Sequence, residues 1–179
     1  MATIFGHRLR GSLHALRHLL ALGTSALVAA ACTSPSPSYQ AAAIDASQGG
    51  DQKTAISLAQ KEVARFSTPE QCSRLKSFNC GTLALVYGSL AEYQILGGDT
   101  MAGERSFSSA REALGWMDGA NRSSATAMVY RDVSEAYWKV GDRARAVVVF
   151  KEGRAAGGDG WLSMASAAGA ADPEPASPR

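Results

Sequence analysis

The sequence predicts an all-α protein, a short stack of about two to three helix pairs in residues 45–170. Three observations indicate this fold class. Apolar side chains recur at intervals of three and four residues, the period of an amphipathic helix. Glycines separate the helical stretches, at Gly97-Gly98-Asp99 and at Gly141-Asp142, where helices commonly end. No segment shows a convincing strand pattern.

The helices follow one another in a simple order. The first follows Gly49-Gly50 and carries an apolar stripe from Ile56 to Phe66. Residues 67–70 (STPE) have the capping residue, proline and acid of a helix start, which predicts a short helix to about Lys76. The remaining predicted helices cover residues 81–96, 101–117, 125–140 and 143–155, with a weak capping helix around 161–168.

Residues 1–31 have the composition of a bacterial signal peptide. Three arginines and no acid are followed by an uncharged apolar run that covers residues 19–31. A transmembrane helix needs about 20 apolar residues, so this run is too short to span. Three alanines precede Cys32 and resemble the lipobox of bacterial lipoproteins, although Ala29 stands where Leu, Val or Ile is usual. The resemblance implies that Cys32 is acylated and becomes the first residue.

The segment after the signal is expected to tether the domain to a membrane. Residues 32–44 begin with the lipidated cysteine and are rich in Ser, Pro and Ala, which predicts a disordered tether. Thr33 rather than aspartate follows Cys32, and the resemblance then implies an outer-membrane lipoprotein facing the periplasm. The alternative is a soluble periplasmic or secreted protein with a stray thiol at Cys32. Residues 171–179 contain three prolines and are predicted to be a disordered tail.

Removal of the signal changes the charge balance and excludes several kinds of site. The mature chain keeps 15 bases against 16 acids, a net charge of −1. Without a basic cluster, nothing favours nucleic acid binding. Every histidine lies in the signal, and the spacing of Cys72 and Cys80 does not match zinc ligands. In an oxidising compartment these two cysteines are predicted to form a structural disulfide; a free thiol pair is the alternative.

Bulky, small and aromatic residues recur at matching positions in two stretches. In the clearer stretch, which begins at Ala127, these positions hold Tyr130, Val133-Ser134, Tyr137, Gly141, Ala146 and Phe150. The stretch that begins at Ala84 places Tyr87, Leu90, Ala91, Gly98, Gly103, Phe107 and Ala110 on the same positions. The pattern resembles the tetratricopeptide repeat (TPR), a helix-turn-helix unit of about 34 residues. The resemblance covers residues 45–160 and implies a curved stack of helix pairs.

The chain departs from the repeat pattern in three respects. Gln94 occupies an aromatic position, and Gly153 occupies a position where alanine is usual. The turns at Gly98 and Gly141 lie 43 residues apart. The second helix of the pair that contains Gly98, or the loop that follows it, must therefore be longer than usual. A third and weaker match to the repeat pattern starts at Gly50. An unrelated helical bundle is the alternative interpretation.

The TPR resemblance also implies a binding surface, because the first helix of each pair lines a concave groove. The predicted groove residues are Glu92, Ile95, Met128, Arg131, Glu135, Trp138 and Lys139; Leu85, Gly88 and Leu96 occupy equivalent positions. Trp138 is the expected anchor, since Trp and Arg dominate interface energetics, or else it packs against a neighbouring helix. The charged residues are expected to hold a peptide by charge-assisted hydrogen bonds, or else to form a solvated face.

The predicted function is therefore that of a membrane-anchored periplasmic scaffold or adaptor. Its partner would be another envelope protein or a peptide, in an assembly or secretion process. One alternative is an envelope hydrolase, such as a peptidoglycan-acting enzyme with Glu92 as acid, and another is a helical lipoprotein that binds a small ligand. No catalytic residue, cofactor or metal is predicted, because no histidine survives processing and neither a nucleophile elbow nor a metal cluster is visible.

Overall fold

The computed structural model describes residues 38–73, 79–117, 119 and 121–158. The helices are α1 (Tyr39–Gln48), α2 (Gln52–Phe66), α3 (Cys80–Leu96), α4 (Thr100–Gly115), α5 (Asn121–Lys139) and α6 (Arg143–Gly153), followed by a π-helical segment, Arg154–Gly158. These described residues contain no strand. The prediction of an all-α helical stack is confirmed.

Three turns of the same construction join the helices into the pairs α1/α2, α3/α4 and α5/α6. Each turn contains a glycine with a positive φ: 83° at Gly50, 88° at Gly98 and 90° at Gly141. The aspartate that follows each glycine caps the next helix, its carboxylate accepting a backbone N–H three residues on; the partners are Asp51–Thr54, Asp99–Ala102 and Asp142–Arg145. Glycine tolerates the left-handed conformation, and aspartate is a strong N-cap.

The pairs stack because α3 packs against helices on several sides. It contacts its partner α4, the preceding helix α2 and the first helix of the last pair, α5. Small residues allow close crossings: a Cβ at Gly88 would lie 3.2 Å from Val129 Cγ2 of α5. Phe107 of α4 and Tyr130 of α5 meet edge to face, with ring centroids 5.0 Å apart. The two aromatic residues are buried core residues, as the repeat spacing predicts.

Helix α1 corrects the predicted extent of the tether. The helix begins at Tyr39, within the segment 32–44 that was expected to be disordered. Ser38 caps it, and the Ser38 hydroxyl and the Tyr39 N–H also donate to the buried carboxylate of Glu62 on α2, at 3.0 and 3.2 Å. Ala43 packs against Ala55 and neighbouring residues of α2 and α3. Tertiary contacts thus order a segment whose composition suggests a linker.

The connection between the first two pairs also differs from the prediction. Residues 67–73 form turns rather than the start of a helix reaching Lys76, and the Cys72 N–H donates to Thr68 O at 3.0 Å. Cys72 and Cys80 form a disulfide with their Cα atoms 4.8 Å apart, as predicted. The bond joins this turn to the first residue of α3.

The length of α4 and α5 accounts for the separation of 43 residues between the turns at Gly98 and Gly141. Helix α4 has 16 residues and α5 has 19. Helix α5 begins at Asn121, four residues before the predicted start at 125, so residues 121–124 form its first turn. A short connection, residues 116–120, separates the two helices.

Several predicted features lie outside the described residues. They are the signal peptide, the lipidation site Cys32, the capping helix around 161–168 and the tail 171–179. None of the described helices combines the length and the apolar character needed to cross a membrane.

Candidate functional site

The first helices of all three pairs contribute to one open cavity of about 460 Å³, which we call the Glu92 cavity. Its lining consists of Ile44, Ser47 and Gln48 of α1, Gln52 of α2, Glu92, Tyr93 and Leu96 of α3, and Lys139 of α5. Glu92 and Lys139, two of the predicted groove residues, are thereby brought together from positions 47 apart in the chain. Leu96, at an equivalent repeat position, joins them.

Glu92 contributes the carboxyl group in the lining of this cavity. Its side chain is only 19% exposed, and the Lys139 ammonium lies 3.6 Å from its Oε1. Burial raises the pKa of the Glu92 carboxyl to about 7, and the nearby carboxylates of Asp132 and Glu135 act in the same direction, while Lys139 opposes them. Burial disfavours the charged form, and like charges add to that effect.

Asp132, which is not among the predicted groove residues, belongs to a charge cluster with Glu92, Arg131, Glu135 and Lys139. The Arg131 guanidinium donates two hydrogen bonds to Asp132 Oδ1, from Nη2 at 2.7 Å and from Nε at 3.0 Å. Burial nevertheless raises the pKa of Asp132. Adjacent residues on a helix do not normally face each other, so the sequence contains no signal for this pair. Arg131, predicted to hold a partner, is therefore already engaged within its own helix.

Ile95 corrects the predicted groove. Its side chain is 0% exposed and belongs to the core. A Cβ placed on Gly103 of α4 would lie 2.5 Å from Ile95 Cγ1, which shows how tightly Ile95 fills the space left by that glycine. Ile95 is therefore a packing residue at the α3–α4 crossing, and its assignment to the groove was wrong. Gly88 is likewise buried, against Val129.

The other predicted groove residues lie at different depths along α5. Met128 is 39% exposed and lines a separate cavity of about 190 Å³ with Ser124, Ala127 and Arg131. Trp138 is half-buried and packs against the core, with the Arg143 guanidinium 5.1 Å from its ring centroid. Its contacts fit the packing alternative, and its role as an anchor stays a prediction. Glu135 is half-buried.

A second open cavity of about 460 Å³ lies where α4 and α6 begin. Beside it the Tyr137 hydroxyl donates to Glu104 Oε1 at 2.7 Å, and Arg145 Nε donates to the same oxygen at 2.8 Å. Burial, with the adjacent carboxylate, raises the pKa of Tyr137 to about 12. The three side chains satisfy one another and join the second pair to the third.

Across residues 38–158, apart from those the structure leaves undescribed, no group of three or more His, Cys, Asp and Glu side chains is arranged to hold a metal ion. Comparison with known proteins identified no matching protein-family model, no similar curated protein and no similar solved structure.

Proposed function

We propose that this protein is a membrane-tethered periplasmic scaffold or adaptor, related in architecture to TPR proteins, that binds a partner protein or peptide. The observation that carries the proposal is the Glu92 cavity, to which the first helix of every pair contributes. A surface built in this way is what a helical-repeat binding groove requires, since stacked repeats use their concave face for recognition.

The composition of the cavity also supports protein recognition. Ile44, 39% exposed, and Leu96 provide apolar contact, and Gln48 is exposed beside them. Glu92 and Lys139 supply charge. Interfaces combine buried apolar contacts with a rim of hydrogen-bonding groups.

The position of α1 relates the cavity to the proposed lipid anchor. Only residues 33–38 separate Cys32 from the first helical residue, Tyr39. A fully extended chain spans at most about 3.3–3.6 Å per residue, so lipid on Cys32 would hold the start of α1 within about 25 Å of the membrane surface. Because α1 itself lines the cavity, the partner would be bound close to that surface.

The binding proposal is tested by site-specific photocrosslinking in the native host. A photoreactive residue is placed at Gln48, an exposed residue of the Glu92 cavity, and the matched control carries it at Glu112, an exposed residue of α4 outside that cavity. We expect one envelope protein to be captured from position 48 alone. Equal capture from both positions, or capture from neither, would contradict binding at this surface.

The anchor is tested separately by metabolic labelling with a palmitate analogue. The wild-type protein should be labelled and should fractionate with the outer membrane, whereas Cys32→Ala should lose both the label and the membrane association. An unlabelled wild-type protein in the soluble fraction would overturn the anchor and favour the secreted alternative.

A further inference from the structure

We infer that the Glu92 cavity accepts a cationic side chain of the partner, a lysine or an arginine, which pairs with the Glu92 carboxylate in place of the Lys139 ammonium. The inference deepens the proposed function and rests on it, because it names the chemistry of the partner that the groove binds.

The walls of the cavity suit a long basic side chain. Ile44 and Leu96 present apolar surface on α1 and α3, and Glu92 lies on the same lining. Lysine and arginine pack their aliphatic stems along such surface while their charged ends reach a polar group. Ser47 and Gln52 bond to each other, with Ser47 Oγ 3.1 Å from Gln52 Oε1, which leaves the exposed Gln48 amide for the partner's backbone.

The cations already present compensate the carboxylates incompletely. Glu92 is near Asp132 and Glu135 of α5. Arg131 pairs with Asp132 at 2.7 Å, so Lys139 is the cation that pairs with Glu92. Its ammonium lies 3.6 Å away and its side chain is 54% exposed, whereas a charge-assisted hydrogen bond is about 2.7–2.9 Å long. Because the Lys139 end of the pair is exposed and its distance from Glu92 is long, the pair contributes little, so Lys139 can be displaced.

The acid–base state of Glu92 agrees with this geometry. Its pKa is raised to about 7, chiefly by burial and then by Asp132, although Lys139 is adjacent. Tyr93 and Lys139 are the other titratable groups in the lining, and α1 and α2 contribute the uncharged Ile44, Ser47, Gln48 and Gln52. A bound cation would favour the ionised carboxylate. Affinity should therefore rise with pH through about 7.

The experiment is a selection of random dodecapeptides displayed on phage against the purified full-length lipoprotein in detergent micelles. The variants are Glu92→Gln, which keeps the shape and removes the charge, and Glu112→Gln as an exposed control. Wild type and control should enrich a lysine or arginine at one position of the selected peptides, and Glu92→Gln should not. Synthetic copies of those peptides should bind Glu92→Gln at least about tenfold more weakly, as loss of a charged hydrogen bond implies.

Lys139→Gln should change the affinity for basic peptides in the opposite direction to Glu92→Gln. Removal of the competing ammonium should strengthen binding of the basic peptides, an effect that loss of a merely structural ion pair would not produce. Weaker or unchanged binding to Lys139→Gln would overturn the inference. So would peptides without a basic preference, or basic peptides that bind Glu92→Gln equally well.

Failure of the inference can be separated from failure of the proposed function. Gln48→Trp places a bulky side chain at the exposed edge of the Glu92 cavity and serves as a blocking variant. Neutral peptides that lose affinity for Gln48→Trp would overturn the cationic specificity and support binding at this surface. Selection of no peptide sensitive to Gln48→Trp would contradict both.

Discussion

Replacement of Gly103 by alanine should destabilise the domain, although alanine is the better helix former. Gly103 lies inside α4, where glycine costs about 1 kcal/mol relative to alanine. A Cβ at this position would lie 2.5 Å from Ile95 Cγ1 and 3.2 Å from the carbonyl oxygen of Ala91. Ile95 is fully buried, and its branched side chain is stiff at χ1, so relief of the contact requires α3 and α4 to move apart.

The expected magnitude follows from the opposing terms. Overpacking of a core costs typically about 1–3 kcal/mol and occasionally more. With three contacts of 3.2 Å or less, one of them to backbone, we expect a cost in the upper part of that range, which exceeds the gain in helix propensity. The difference leaves a net loss of about 1–2 kcal/mol in the free energy of unfolding. Gly115→Ala is the matched control, because Gly115 ends the same helix and its Cβ would meet no atom within 4 Å.

Thermal and urea unfolding, followed by circular dichroism with the disulfide intact, measure both variants. For a domain of this size about 1 kcal/mol corresponds to about 4 °C in Tm, so Gly103→Ala should melt about 4–8 °C below wild type. Gly115→Ala should melt at or slightly above the wild-type temperature. A Gly103→Ala protein as stable as Gly115→Ala would refute the reasoning, since α3 and α4 could then separate without loss.

Three further predictions concern the charge cluster, the disulfide and the turns. The pKa of Glu92 in the folded state is raised from its ordinary value of 4.5 to about 7, so wild type should lose stability as the pH rises through this interval. Urea titrations at pH 5 and 8 should show that Glu92→Gln abolishes this loss and that Glu112→Gln retains it. Joint replacement of Cys72 and Cys80 by serine should cost about 2.5 kcal/mol by the chain-entropy estimate, and a reductant should lower the Tm of wild type alone. Asp142→Ala should cost about 1 kcal/mol through loss of the N-cap at α6, with Asp142→Asn near wild type in thermal melts; equal losses in the two variants would contradict the capping role.

The parts of the fold that the sequence predicted well are those set by local chemistry. Helices α2 to α6 follow from apolar periodicity, and Gly98-Asp99 and Gly141-Asp142 lie at turns because glycine adopts a positive φ. The turn at Gly50, the weakest match to the repeat pattern, has the same geometry as the turns at Gly98 and Gly141. Each of these features depends on a few consecutive residues, so a single sequence is sufficient to predict it.

The errors occurred where a residue's environment comes from a distant element. The repeat position of Ile95 predicts a groove residue, but the absence of a side chain at Gly103 allows α4 to cover it. The composition at the start of α1 predicts a disordered tether, whereas contacts with Glu62 and Ala55 of α2 order this segment. Neither contact has a local signature.

The helical class, the turns and the cysteine pair can be predicted from the sequence, because helix periodicity, left-handed glycine and paired cysteines are properties of short segments. Which groove residues meet depends on the packing of the helices. That packing places Glu92 beside Lys139, adds α1 to the lining and buries Glu92 near Asp132. Burial and distances between charges depend on how the helices stack, and these quantities set the pKa of Glu92 and the cationic partner that we infer.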